Sequence, residues 1–305
     1  TISTGTGGGN LIIDGTIDGS TGTGNGSEAL TITAGTGSTT ISGTIGGTVA
    51  VTTLSIGGSG NGTISLAGLG DSNTAGATGT TTIGNTSTGT LTLPGTIYKT
   101  DNSQTYVAAT GQNIDITGDG ATFTTTNDNI AFNTAGVDLS FDGEGEDVVT
   151  TIDTGTGAGA VTFGGAIESG GGDDDVLTIT SGTGTVTFTG NIGATQELGG
   201  LNVNASSGSG IITFTGDIGD TNAPQSGVIG TSNIGNTATS RIDLDGGLYS
   251  FDGTTTFESS GAESVEISVA TTIENTANSL SFSGGSIELL DGANLSVTTN
   301  GGAIT

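Results

Sequence analysis

Carboxylates are almost the whole chemical inventory of this chain. Thirty Asp and Glu stand against two basic residues, Lys99 and Arg241, with no His and no Cys. The acids crowd together in two places. One run reads GGGDDDVL at 170–177 and holds Asp173, Asp174 and Asp175; the other reads DGEGEDVV at 142–149 and holds Asp142, Glu144 and Asp147. Calcium takes six to eight hard oxygen ligands, and dense carboxylates beside backbone carbonyls supply them. These six residues are therefore the expected metal ligands, with Ca2+ as the ion. The plain competing reading is a solvated acidic loop that leads into a strand.

The first run resembles one unit of the calcium-binding nonapeptide of secreted repeats-in-toxin proteins, G-G-x-G-x-D-x-U-x. Asp175 falls on the ligand Asp and Leu177 on the buried apolar position, while Asp173 replaces the fourth Gly. The second run matches at Gly143, Gly145, Asp147 and Val149 but lacks the first Gly. That family builds each site from adjacent repeats, whereas these two copies lie about 30 residues apart.

The same inventory argues against catalysis. General acid–base work needs paired carboxylates, or a carboxylate beside a cation. Asp243 and Asp245 are such a pair in principle, but they read as alternating outward positions of a strand. The glycine-rich runs lack the Lys-Ser/Thr ending of a phosphate loop and open no helix. The expectation is a protein that is no enzyme. A net charge of −28 repels phosphate, which removes nucleic acid and anionic membranes as partners. No run approaches the 18 apolar residues of a membrane helix, so no membrane insertion is expected.

What positions these acids is a repeat. VTFGGAI at 161–167, VTFTGNI at 186–192 and ITFTGDI at 212–218 are one phrase written three times. An apolar residue two places before a Gly recurs at 13, 41, 66, 93, 116, 141, 163, 188, 214, 244 and 282. A second phrase precedes the first, as in Leu30-Thr-Ile32, Leu54-Ser-Ile56 and Leu177-Thr-Ile179, with a glycine turn between. β-branched residues in alternation are the strand signal, and period 2 sends Val and Phe to one side and Thr to the other. One such unit cannot bury its apolar face, but stacked units can, with Phe163, Phe188 and Phe214 laid over one another.

The fold class expected is all-β, a parallel β-solenoid (a right-handed β-helix) of about 25 residues per coil. Coils rise about 4.8 Å each, so some eleven coils make a rod roughly 50 Å long. The structural alternative is antiparallel β-sandwich domains joined by hairpins. Residues 1–219 read as solenoid coils, with weaker repeats or loops over 99–147, and 220–305 as an irregular continuation with tighter coils. The segments 99–147 and 220–282 read as loop insertions on one face. Asn25, Asn61, Asn85, Asn204 and Asn294 begin N-x-Ser/Thr sequons, a weak signal in a chain so rich in Ser and Thr.

The text LTITSGTGTVTFTGNIG at 177–193 resembles the long repeat-rich bacterial surface proteins of the haemagglutinin and adhesin type. The likeness covers nearly all 305 residues but rests on phrasing and not on a diagnostic motif. It implies an extracellular, bacterial cell-surface location and a non-catalytic shaft. Solenoid ends expose unpaired strand edges, and neither end here reads as a cap. The expected partner is therefore self, as a head-to-tail homopolymer or a segment of a longer solenoid. The expected function is a structural protein that self-associates into a cell-surface filament, sheath or layer. Two alternatives stand beside it: an adhesin shaft whose loops at 99–132 and 220–260 bind glycans or a host surface, and an ice-binding solenoid suggested by Thr-x-Thr pairs such as Thr187/Thr189 and Thr213/Thr215.

Overall fold

The computed structural model describes residues 1–305 apart from 21–26, 59, 61, 134–135, 140–147, 171–174, 205–206, 221–226 and 277. Every named element among the described residues is a strand, and the chain winds them into three faces. Face A is a twelve-stranded sheet that runs from Ile2–Ser3 to Ser286–Leu289. Face B joins a seven-stranded and a three-stranded sheet through single-residue bridges at Ile192 and Ile218. Face C has eight strands and is continued by bridges at Ile17, Ile45 and Leu69 before them and Ile304 after. Pairing is parallel throughout, between strands about one coil apart in sequence. The chain is a parallel β-solenoid, and the antiparallel sandwich is excluded.

Alternation builds the interior. In Val186–Phe188, Val186 and Phe188 are buried and Thr187 is half-buried, and the same order holds in Val161–Phe163. Register then carries each inward residue onto its neighbour. On face A the inward column reads Ile2, Ile32, Ile56, Ile83, Tyr106, Phe132, Phe163, Phe188, Phe214, Leu244, Ile267 and Leu289. Five rings in it lie flat on one another. Centroids are 5.1 Å apart for Tyr106–Phe132 and Phe132–Phe163, 5.5 Å for Phe163–Phe188 and 4.7 Å for Phe188–Phe214. The offset-stacked geometry adds about 0.5–1.5 kcal/mol per pair beyond the burial of the rings.

One expectation changes here. The segment 99–132 is not a loop insertion. It holds the strands Gln104–Val107, Asn113–Ile116, Thr122–Thr124 and Ile130–Asn133, and Tyr106, Phe123 and Phe132 are fully buried. The described part of 220–260 is likewise coil, with Ile234, Leu244, Tyr249, Phe251 and Phe257 in the core. The 99–132 coils hide in the sequence because they turn corners without the full Gly-x-Ile phrase, which the 220–260 segment keeps at Leu244–Leu248. At the corner before Gln104–Val107 a side chain does the work: Gln104 Nε2 donates to the carbonyls of Tyr98 (2.9 Å) and Thr124 (2.8 Å), and Oε1 accepts the Tyr106 hydroxyl (2.8 Å).

The phrase also changes face along the rod. Positions 13, 41, 66, 93 and 116 lie on face B, positions 163, 188, 214 and 244 on face A, and 282 on face C. Two corner devices move with it. The Tyr98 hydroxyl accepts the Gly95 N–H (2.9 Å) and donates to the Leu66 carbonyl (2.8 Å) at a B-to-C corner. The Tyr249 hydroxyl does the same with Gly246 (2.8 Å) and Phe214 (3.1 Å) at an A-to-B corner. Asn85 and Asn236 form a second matched pair. Their amide N–H groups donate to Thr88 and Thr239 Oγ1 at 2.9 Å, and their Nδ2 groups donate to the Gly58 and Gly208 carbonyls. Asn85/Asn236 and Tyr98/Tyr249 are each 151 residues apart. The three faces thus offer equivalent slots, and one sequence device fits any of them.

Candidate functional site

Of the six expected metal ligands, Asp142, Glu144, Asp147, Asp173 and Asp174 lie outside the described residues. Asp175 sits at the B-to-C corner between the strands Ile167–Ser169 and Val176–Thr180. It is fully buried, and its Oδ2 accepts the Ser169 hydroxyl (2.8 Å) and the Gly170 N–H (3.3 Å). A carboxylate in that position draws the two ends of the 170–175 segment together. The sequence had assigned it no such structural role. Among the described residues no group of three or more acidic side chains converges as a metal cage.

Other carboxylates act as straps between coils. Asp18 Oδ1 accepts the N–H groups of Thr48 (2.8 Å) and Val49 (3.3 Å). Glu168 Oε2 accepts those of Thr195 (3.0 Å) and Gln196 (2.9 Å), and Asp217 Oδ1 those of Gly247 (2.7 Å) and Leu248 (3.0 Å). Each satisfies two corner donors of the next coil, where the ladder is interrupted. Asp71 instead caps its own turn, taking the N–H groups of Asn73 (2.7 Å) and Thr74 (2.6 Å), and these donors hold its carboxyl below the usual range.

Asp243 and Asp245 do alternate outward from the strand Arg241–Leu244, and both are engaged. Arg241 grips Asp243 in a bidentate pair, Nε–Oδ1 2.5 Å and Nη2–Oδ2 3.1 Å, with Glu266 at 3.5 Å. Asp245 Oδ1 accepts the Ser268 hydroxyl at 2.5 Å. The outward threonine pairs Thr187/Thr189 and Thr213/Thr215 stand on successive rungs, but the next rung there carries Asp243 and Asp245. Two of the sequon residues are structural: Asn85 Nδ2 binds the Gly58 carbonyl, and Asn204 is fully buried.

No family model, curated protein or solved structure matches the chain. Function must therefore be read from the molecule's own surfaces.

Among the described residues, several inward apolar positions are left partly open on the first and last rungs of this sequence. On the last rung Ile287 is 41 % exposed, Leu289 50 % and Ile304 53 %, although their partners one rung inward, Val265, Ile267 and Leu280, are buried. At the first rung Ile2, Leu11, Ile13 and Ile17 are only partly covered, while Ile12 points outward between Leu11 and Ile13.

Proposed function

We propose that this chain is a non-catalytic structural protein of the bacterial cell surface whose copies join end to end into a filament, sheath or layer. The observation that supports this most is the parallel stack itself: three ladders run along it, and the apolar inward positions of the first and last rungs of this sequence can take a further strand, from a second copy or from adjoining coils of the same chain. Leu289, Val297 and Ile304 close faces A, B and C at one end, and Ile2, Ile13 and Ile17 open them at the other. A second copy that adds its first rung to this last one continues all three ladders and covers both sets. Burying apolar surface contributes about 25 cal/mol per Å². The contact is heterologous, so it propagates without closing.

Charge opposes it. A body of net charge −28 repels its copies, and calcium held by the acidic runs at 142–147 and 173–174 relieves that repulsion. The likeness of phrasing to haemagglutinin and adhesin shafts fits the same reading. Negative-stain microscopy of the pure protein at neutral pH with calcium is the test. Filaments or sheets are expected; dispersed particles that never elongate contradict the proposal. A second reading, an adhesin shaft that also holds a glycan, draws support from a polar groove along one corner.

A further inference from the structure

The C-to-A corner carries a concave groove of about 300 Å³, the lower end of the range for small-ligand sites. It runs along the rod over four successive corners, from Asp153 and Gly155 through Thr180 and Gly182 to Ser209 and Ala238. Its concavity is built by three stacked glycines with left-handed backbones: Gly155 (φ 80°), Gly182 (φ 54°) and Gly208 (φ 105°). A Cβ on Gly182 would meet the Gly157 carbonyl oxygen at 2.5 Å, and one on Gly208 the Asn204 side chain at 2.6 Å. A side chain at Gly182 or Gly208 would therefore have to push its neighbours aside.

The lining selects the ligand class. Hydroxyls of Thr156, Thr180, Thr183, Ser207 and Ser209 both donate and accept. Asp153 spends Oδ1 on the Gly155 N–H (2.8 Å), which leaves Oδ2 for a ligand hydroxyl. One carboxylate is too few for calcium, which takes six to eight oxygens. Ala238 is the one aliphatic side chain of the lining, threonine methyls and backbone carbons supply the rest of its apolar surface, and the net charge of −28 turns anions away. An elongated, neutral, polyhydroxylated ligand remains. We infer that this corner binds a short neutral oligosaccharide laid parallel to the rod axis. The site is open and has no aromatic platform, so its dissociation constant is of millimolar order. This inference does not rest on end-to-end assembly.

The test is weak-affinity chromatography of the full chain on columns carrying neutral or anionic oligosaccharides at densities well above millimolar, where binding of this strength delays elution. Retention on the neutral columns is expected. Asp153→Asn keeps the acceptor for Gly155, and Thr183→Val keeps the side-chain shape; each is expected to weaken binding about tenfold with unchanged melting. Leu289→Asp, which blocks the end rung, is expected to leave sugar binding intact, so the two proposals fail separately. Retention on anionic columns only, no retention at all, or binding that both groove variants preserve would overturn the assignment.

Discussion

Phe188 lies between Phe163 at 5.5 Å and Phe214 at 4.7 Å and is 1 % exposed. Truncation to alanine leaves a cavity that flat, close-packed neighbours cannot fill. Phe188→Ala is expected to cost about 3–5 kcal/mol in denaturant unfolding. Phe188→Asp buries an unpaired charge and is expected to leave no folded protein. The buried tyrosines make a pH prediction. Burial pushes the phenols of Tyr98, Tyr106 and Tyr249 above their ordinary value of 10.0. The unfolded chain releases these protons near pH 10 and the folded chain holds them, so their contribution is intact below that pH and is lost as pH rises further. Thermal melts should therefore stay level toward pH 10 and fall above it. A chain in which Tyr98, Tyr106 and Tyr249 are all replaced by Phe should lose that alkaline step.

Corners decide where a strand ends, and there the cost of a methyl group depends on what lies above it. Gly84 and Gly111 both have left-handed backbones, φ 82° and 76°. A Cβ on Gly84 would meet the Val107 carbonyl oxygen of the next coil at 1.9 Å, while one on Gly111 meets nothing within 4 Å. Gly111→Ala is expected to cost about 1–2 kcal/mol, the left-handed penalty alone. Gly84→Ala should cost clearly more, because the coils must separate to admit it. Equal costs in denaturant melts would contradict the close stacking.

This is also the scale at which the sequence was most and least legible. The VTF phrases announced strands, inward phenylalanines and a parallel coil, because alternation and a beat of about 25 residues are local signals. The face that each phrase occupies was illegible, because three equivalent faces accept it equally. Gln104 and Tyr106 looked like loop text because the corner before them uses a side-chain amide in place of Gly-x-Ile. The straps Asp18, Glu168 and Asp217 were illegible too, since each reaches partners 27 to 31 residues away.

At the scale of the whole rod, two forces compete. In the end-to-end assembly proposed above, apolar end rungs would favour joining, and a charge of −28 on 305 residues would resist it. Assembly should strengthen with salt, which screens charges beyond about 10 Å at 0.1 M. It should also strengthen with calcium and weaken in chelator, through Asp142, Glu144, Asp147, Asp173 and Asp174, Asp175 being buried against Ser169 and Gly170. Light scattering that does not change when calcium is removed would separate the acidic runs from assembly.

Sedimentation velocity over a concentration series, run on the native chain beside Leu289→Asp, puts end-to-end growth to the most direct trial. Leu289 is half exposed on the last rung, so the substitution should leave the fold and its melting unchanged. The native chain should sediment as a growing ladder of oligomers as concentration rises, and the variant as a monomer at every concentration. A native chain that stays monomeric throughout, or a variant that grows as the native chain does, would contradict the account.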